Sequence, residues 1–206
     1  MPPTLVIATR NRKKFEEIVA LLGDLNVAMK PLDDFGRLAP VPETGETFEE
    51  NARIKALGYA RATGQWALAD DSGLEVDALG GAPGVRSSRW GGREGDDRLN
   101  NETLLRALAG HPKETWTARY RCVTALATPE RVVLVTEGTC EGRITDRPAG
   151  SNGFGYDPYF RVPEHGRTMA ELPAEVKNRL SHRARALAEM RERLEKFLYN
   201  SANRAQ

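Results

Sequence analysis

Apolar positions fall into short runs and helical stripes, separated by polar or glycine-rich segments. Leu5-Val-Ile-Ala8 is a fully apolar strand that runs straight into the polar turn Thr9-Arg-Asn-Arg-Lys-Lys14. Phe15, Ile18, Val19 and Leu22 then recur at helical spacing, and Gly23 ends that helix. A second strand is expected over Val27–Pro31, followed by a proline-bearing loop over Leu38–Gly45. Thr47 and Glu50 have the spacing of a capping box, which starts a helix reaching to about Thr63. Trp66-Ala-Leu-Ala69 predicts another buried strand, ended by Asp70-Asp71-Ser72-Gly73. Glycines crowd Leu79–Gly92 into an expected long loop, and Leu99, Leu104, Leu105 and Leu108 mark a helix from Asp97 to Leu108.

The second half predicts two long strands, Thr115–Ala127 and Arg131–Thr139, turning at Pro129. Trp116, Ala118, Tyr120 and Cys122 alternate with polar or basic residues, as in a half-exposed antiparallel strand. A second glycine-rich loop, Arg147–Pro158, precedes a last helix over Ser181–Leu198, whose stripe is Leu187, Met190, Leu194, Phe197 and Leu198. Strand–turn–helix order with long paired strands indicates an α/β fold with a mixed sheet. One domain over 1–199 and a flexible tail over 200–206 are expected.

Composition narrows the classes of function. The chain has 206 residues, 40% hydrophobic and 29% charged, enough for a sizeable core and against a disordered chain. Apolar runs such as Leu5–Ala8 and Val132–Val135 fall far short of the roughly 18 residues of a membrane helix. A formal net charge of +1 gives no global pull toward nucleic acid or an anionic membrane. Cys122 and Cys140 are too few for a disulfide framework and too isolated for zinc, so a reduced, cytoplasmic protein is expected.

Three segments carry candidate chemistry. Thr9, Arg10, Asn11, Arg12, Lys13 and Lys14 place a hydroxyl, an amide and four cations at a helix start, where unpaired N–H groups and the helix dipole also favour phosphate. The same residues fit an N-capping Asn11 followed by solvated cations, and no Walker pattern is present. Asp70 and Asp71 alternate across a strand, so one faces a ligand while the other supports it, unless Asp-Asp-Ser-Gly is ordinary turn chemistry. With Glu43, one of them would make a modest Mg²⁺ site completed by substrate phosphates and water. Asn152-Gly-Phe-Gly-Tyr-Asp157 sets two rings in a glycine-freed backbone, suited either to stacking on a base or to plugging a core. Lys177 and Ser181-His182-Arg183 add donors near a helix start, or a solvated cap. The absence of G-x-S-x-G and of a Gly-rich dinucleotide turn leaves a nucleotide with Mg²⁺ as the joint reading.

Ala8–Lys14, Glu43-Thr-Gly45, Phe48-Glu-Glu-Asn-Ala52, Ala69–Leu74, Gly80–Gly84, Pro148-Ala-Gly150, Gly153–Pro158 and Ser181-His-Arg183 occur in this order. Over residues 4–198 the chain closely resembles the inosine/xanthosine triphosphate pyrophosphatase family. That resemblance implies Mg²⁺-dependent hydrolysis of dITP, ITP and XTP to the monophosphate and pyrophosphate, which keeps these nucleotides out of nucleic acids. It also implies a homodimer and a two-lobed domain around a long mixed, twisted sheet flanked by helices, with the active site in a cleft between the lobes. Residue by residue, Thr9–Lys14 would hold the triphosphate, with Lys14 also catalytic. Glu43 and Asp71 would bind Mg²⁺, with Asp71 as proton acceptor. Ser72, Phe154, Gly155, Tyr156, Asp157, Lys177, His182 and Arg183 would contact the nucleotide. Lys13, beside Arg12, departs from the small residue of many members. Two rival readings stay open at this point: a pyrophosphatase for other modified nucleotides, and a nucleic-acid-binding module using Arg119, Arg121 and the basic last helix. Glu189, Glu192 and Glu195 on that helix weigh against the second.

Overall fold

A computed structural model describes residues 3–204. Seven strands form one sheet in the order β2-β1-β3-β4-β5-β6-β7. They are β1 (Thr4–Ile7), β2 (Ala28–Pro31), β3 (Trp66–Val76), β4 (Thr117–Ala127), β5 (Val132–Ile144), β6 (Phe160–Val162) and β7 (Arg167–Thr168). The helices are α1 (Arg12–Leu22), α2 (Phe48–Thr63), α3 (Asp97–Leu108), α4 (Ala174–Leu180) and α5 (His182–Arg204). β1 pairs in parallel with β2 and β3, whereas β6 pairs antiparallel with β5 and β7, so the sheet is mixed as expected. No described helix is long and apolar enough to cross a membrane.

The chain divides into two compact units, the first holding residues up to Asp71, Cys122–Gly138 and Ala184 onward, the second Ser72–Arg121 and Thr139–Arg183. In unit 1, Leu5 and Ile7 of β1, Ile18 and Leu22 of α1, and Leu68 of β3 bury against Leu187, Met190 and Leu194 of α5. The α5 stripe predicted from spacing is therefore the buried one. Burying one such side chain contributes about 1.5–3 kcal/mol, so a helix otherwise rich in charge stays on this core. Thr136 Oγ1 also donates to Ala186 O at 2.7 Å, tying α5 to β5 by a buried bond. In unit 2, Trp116 just before β4 and Ala118 and Tyr120 of β4 join a core with Leu104 and Leu108 of α3, Tyr156 and Phe160. The opposite face of β4 carries Arg119, paired with Asp77 at 3.0 Å and Glu141 at 3.2 Å, and Arg121, paired with Glu75 at 3.7 Å.

Several elements depart from expectation. Asp70-Asp71-Ser72-Gly73 does not end a strand; β3 runs through it to Val76, with nearly every residue buried. A buried strand excludes water from both faces, so turn-type residues stay extended where the sheet supplies their backbone partners. β5 likewise runs past Thr139 to Ile144. Leu79–Gly92 is not an open loop throughout: it holds the end of one short 3-10 helix and the whole of another, Gly84–Arg89, with turns between and after them. β6, β7 and α4 were not predicted. α5 runs on to Arg204, past Leu198 and into the segment expected as a tail; residues 205 and 206 of that segment lie outside the described residues.

The packing of β6 beside β5 depends on Gly142. A Cβ there would lie 2.6 Å from Phe160 Cε1 and 2.7 Å from Arg161 O, closer than packed atoms tolerate. Gly142→Ala is expected to lower the unfolding free energy by about 1–3 kcal/mol, the usual cost of overpacking a core, read from a urea midpoint with unchanged slope.

Candidate active site

Unit 1 builds its part from the end of β1, the start of α1, the loop before α2 and the middle of β3. Thr9 Oγ1 accepts from Asn11 N at 3.1 Å, and Asn11 Oδ1 accepts from Lys13 N at 3.0 Å and Lys14 N at 3.2 Å. Asn11 is thus the N-cap of α1, and both readings of this turn hold together: the cap is real, and it shapes the cationic segment. The cations do not act as one cluster. Arg10 Nη2 donates to Leu38 O at 2.6 Å, and Arg12 turns along the helix to pair with Glu16 at 2.9 Å. Lys13 is exposed. Lys14 is directed at the carboxylates, with its Nζ 3.0 Å from Asp70 Oδ2.

Lys55, on the buried face of α2, was missed by the sequence reading. Its Nζ lies 3.0 Å from Asp71 Oδ1 and 3.1 Å from Glu43 Oε1, so the two expected metal ligands already reach one point. The loop bearing Glu43 is pinned to α2 by Gly45 N donating to Asn51 Oδ1 at 2.8 Å and by Glu46 N donating to Glu50 Oε2 at 2.7 Å. Strand alternation does send Asp70 and Asp71 to different partners. Asp70 meets Lys14, in keeping with a supporting role for one carboxylate of the pair. A signal for Lys55 existed: it interrupts the small, buried stripe of Ala52, Ala56 and Ala60.

Charge in this cluster is finely opposed. Burial penalises the Lys55 ammonium, but Asp71, Asp70 and Glu43 outweigh it and hold its pKa above the ordinary lysine range. For Asp71, burial wins over Lys55 and Lys14, and its pKa is raised. Asp71 Oδ2 is buried and meets no hydrogen-bond donor among the described residues. Such an orphan costs about 1–3 kcal/mol or more in a fold with no use for it. Its arrangement is that of a carboxylate held ready to accept a proton or bind a cation. No three His, Cys, Asp or Glu side chains come together to hold a metal among the described residues, so a cation here would need oxygens from elsewhere.

Unit 2 gathers the other candidates. Ser72 Oγ accepts from Arg183 Nη2 at 3.0 Å. The Phe154 ring lies 5.1 Å from Lys177 Nζ and 5.8 Å from Arg183 Cζ, giving an aromatic face flanked by cations. Lys177 Nζ pairs with Asp157 Oδ2 at 3.0 Å, and the His182 ring stacks on Tyr120 at 4.7 Å. Two candidates are engaged by the fold. Tyr156 is buried in the core with its hydroxyl donating to Ser87 O at 2.8 Å, and burial pushes its pKa up. Gly155 has both backbone groups engaged by α3, its N donating to Asp97 Oδ2 at 2.7 Å and its O accepting from Asn101 Nδ2 at 2.9 Å. These partners fix the backbone at Gly155 and the hydroxyl of Tyr156, so any nucleotide contact at these two positions would be made by a turn already held in place. Spacing alone gave no hint of Asp97 and Asn101.

Comparison with known proteins agrees with this picture. The Ham1 family matches residues 5–193. A dITP/XTP pyrophosphatase of Shouchella clausii is 49% identical over 93% of this chain and 96% of its own length, and one of Geobacillus kaustophilus is 49% identical over 94% and 95%. Among solved structures, a HAM1 protein from Coxiella burnetii superposes with a TM-score of 0.88 at 42% identity, covering 95% of this chain and 100% of its own. A nucleoside-triphosphatase, or dITP/XTP pyrophosphatase, from Mycobacterium abscessus gives 0.76 at 46% identity over 91% and 98%. With a family match over nearly its whole length and relatives at half identity, this chain belongs to the Ham1 family.

Proposed function

We propose that this protein hydrolyses non-standard purine nucleoside triphosphates, dITP, ITP and XTP, to the monophosphate and pyrophosphate. Asp71 carries the reading: a buried carboxylate with one oxygen lacking a donor, set beside two lysines. Half-identical relatives are named dITP/XTP pyrophosphatases, which supports the reading. The residues around Lys14 and Asp71 would take the triphosphate, and those around Phe154 and Arg183 the purine. A homodimer and cytoplasmic residence belong to the same proposal and rest on the family likeness.

Glu43 and Asp71 fit a hard divalent cation, since their oxygens converge and one of Asp71 is unengaged. Mg²⁺ typically takes one or two carboxylates, and when bound it would supply neutralisation of phosphate charge. The residues of the chain do the rest. Lys14 and Lys55 place two ammonium groups by the carboxylates, where they would draw charge off phosphate oxygens as it develops. Asp71 would orient the attacking water and take its proton on whichever oxygen the cation leaves open. On the other side, Phe154 would stack on the purine without reading it. Arg183 presents only donors, which accept a carbonyl at position 6 of the purine and leave the amino group of adenine opposed. The nucleic-acid alternative loses its footing because Arg119 and Arg121 are paired with acidic neighbours on their own sheet face.

The decisive experiment is a nucleotide panel with and without Mg²⁺. ITP, dITP and XTP should each release one equivalent of pyrophosphate, ATP and GTP far less, and EDTA should abolish turnover until Mg²⁺ is restored. Release of inorganic phosphate instead would place the cut at another bond and refute the reading. Asp71→Asn should keep its circular dichroism and melting profile while ITP turnover falls by at least about two orders of magnitude, the scale of losing a general base. Arg183→Ala, checked for folding by its melting temperature, should lose far more ITP than ATP activity; equal losses would assign Arg183 to phosphate or fold.

A further inference from the structure

Tyr120 on β4 is buried in unit 2, and none of the roles above uses it. Its hydroxyl donates to Asp157 Oδ1 at 3.1 Å. Its ring stacks on His182 with centroids 4.7 Å apart and planes 15° from parallel, and it meets Phe160 at 4.4 Å and 43°. Asp157 Oδ2 in turn accepts from Lys177 Nζ at 3.0 Å and from Phe154 N at 3.0 Å. One side chain therefore grips both segments assigned to the purine, the Gly153–Asp157 turn and the start of α5.

We propose that Tyr120 is a positioning residue for purine selection, setting the Phe154–Asp157 turn through Asp157 and the ring plane of His182 by stacking. The inference rests on the functional reading above and extends it to a residue that touches no substrate. Its mechanics follow from geometry. A carboxylate with donors on one oxygen can still rotate and tilt; a donor on the second oxygen fixes its plane. Asp157 Oδ2 lies against Gly153, where φ is +79° and where a Cβ would run into that oxygen, so the carboxylate and the turn fit only with glycine there. Burial, then the charge of Asp157, hold the Tyr120 hydroxyl protonated well beyond the ordinary phenol range, so it remains a donor. Without it, Asp157 Oδ1 is left as a buried charged acceptor, and Phe154 N and Lys177 shift with whatever the carboxylate does next.

Tyr120→Phe removes the hydroxyl and keeps the ring. Steady-state pyrophosphate release from ITP, ATP and GTP, with melting temperatures in parallel, reads the effect. The ratio of kcat/KM for ITP over ATP and over GTP should fall about tenfold, the scale of one hydrogen bond to a charged group, mainly through a higher KM for ITP. Tyr120→Leu, which also takes the ring from His182, should lower the ratio further; if it fails to fold, Tyr120→Phe alone carries the test. A merely structural Tyr120 would lower activity on all nucleotides together with the melting temperature, leaving ratio and KM unchanged, and that result overturns the proposal. A Tyr120→Phe protein that does not fold overturns it too, since the hydroxyl would then hold the whole unit and not the turn. The unaltered protein, assayed alongside, separates the two failures. If it releases no pyrophosphate from ITP, the proposed function falls and this inference with it. If it is selective and Tyr120→Phe is equally so, only the role of Tyr120 falls.

Discussion

Two adjacent carboxylates, Asp70 and Asp71, sit in the middle of a buried strand, and much of unit 1 is arranged to make that tolerable. Taking an ion out of water costs several kcal/mol even after relaxation, and only a close, well-bonded partner offsets it. Lys14 reaches one carboxylate from the start of α1 and Lys55 the other from α2, each at 3.0 Å. The two helices are thereby locked to β3 by charge as well as by their apolar stripes. Removing one member of such a pair would strand its partner at a cost of about 3–5 kcal/mol, whereas a well-packed apolar pair would serve stability as well or better. Stability alone does not account for these residues; the chemistry proposed for Asp71 would.

The carboxylates of the two units are treated in opposite ways. Asp157 accepts at both oxygens, from Tyr120, Lys177 and the Phe154 amide, and it behaves as a fixed joint between a turn and a helix. Asp71 has Lys55 on one oxygen and no donor on the other, and burial raises its proton affinity. A saturated carboxylate has little left to offer a ligand, and an unsaturated buried one is poised for a proton or a cation. The division of labour between positioning and chemistry can be read from this difference in satisfaction.

Legibility in the sequence followed the range of the interaction. The α5 stripe, the capping box at Thr47 and Glu50 and the inward alternation of Trp116, Ala118 and Tyr120 are local patterns, and the structure has all of them. β6, β7 and α4 span two to seven residues each, too short for any period to register. β3 was cut short because Asp-Asp-Ser-Gly has turn composition, and only the neighbouring strands and the two lysines make it extended. Ordered motifs pointed to Lys14, Glu43, Asp71 and Arg183, but spacing could not say which cation meets which carboxylate. Tyr120 looked like one more core aromatic because its partner Asp157 is far away in sequence and adjacent only once the sheet forms.

The cationic turn after β1 shows the same logic in a milder form. Positive side chains at a helix start work against the helix dipole, and α1 has no acidic residue in its first turn to compensate. The fold answers with individual partners: the Asn11 cap for two backbone amides, a carbonyl for Arg10, Glu16 for Arg12 and Asp70 for Lys14. The exposed Arg12–Glu16 pair adds at most a few tenths of a kcal/mol, so it does not justify the charge it neutralises. Lys14 is different, because its ammonium is half of a pair with a buried carboxylate and its loss would take the opposing cation from Asp70. The unfavourable placement of charge at this helix start is thus kept where it is coupled to Asp70 and, through the strand, to Asp71. That coupling makes the turn part of the same electrostatic unit as the carboxylates rather than a solvated surface beside them.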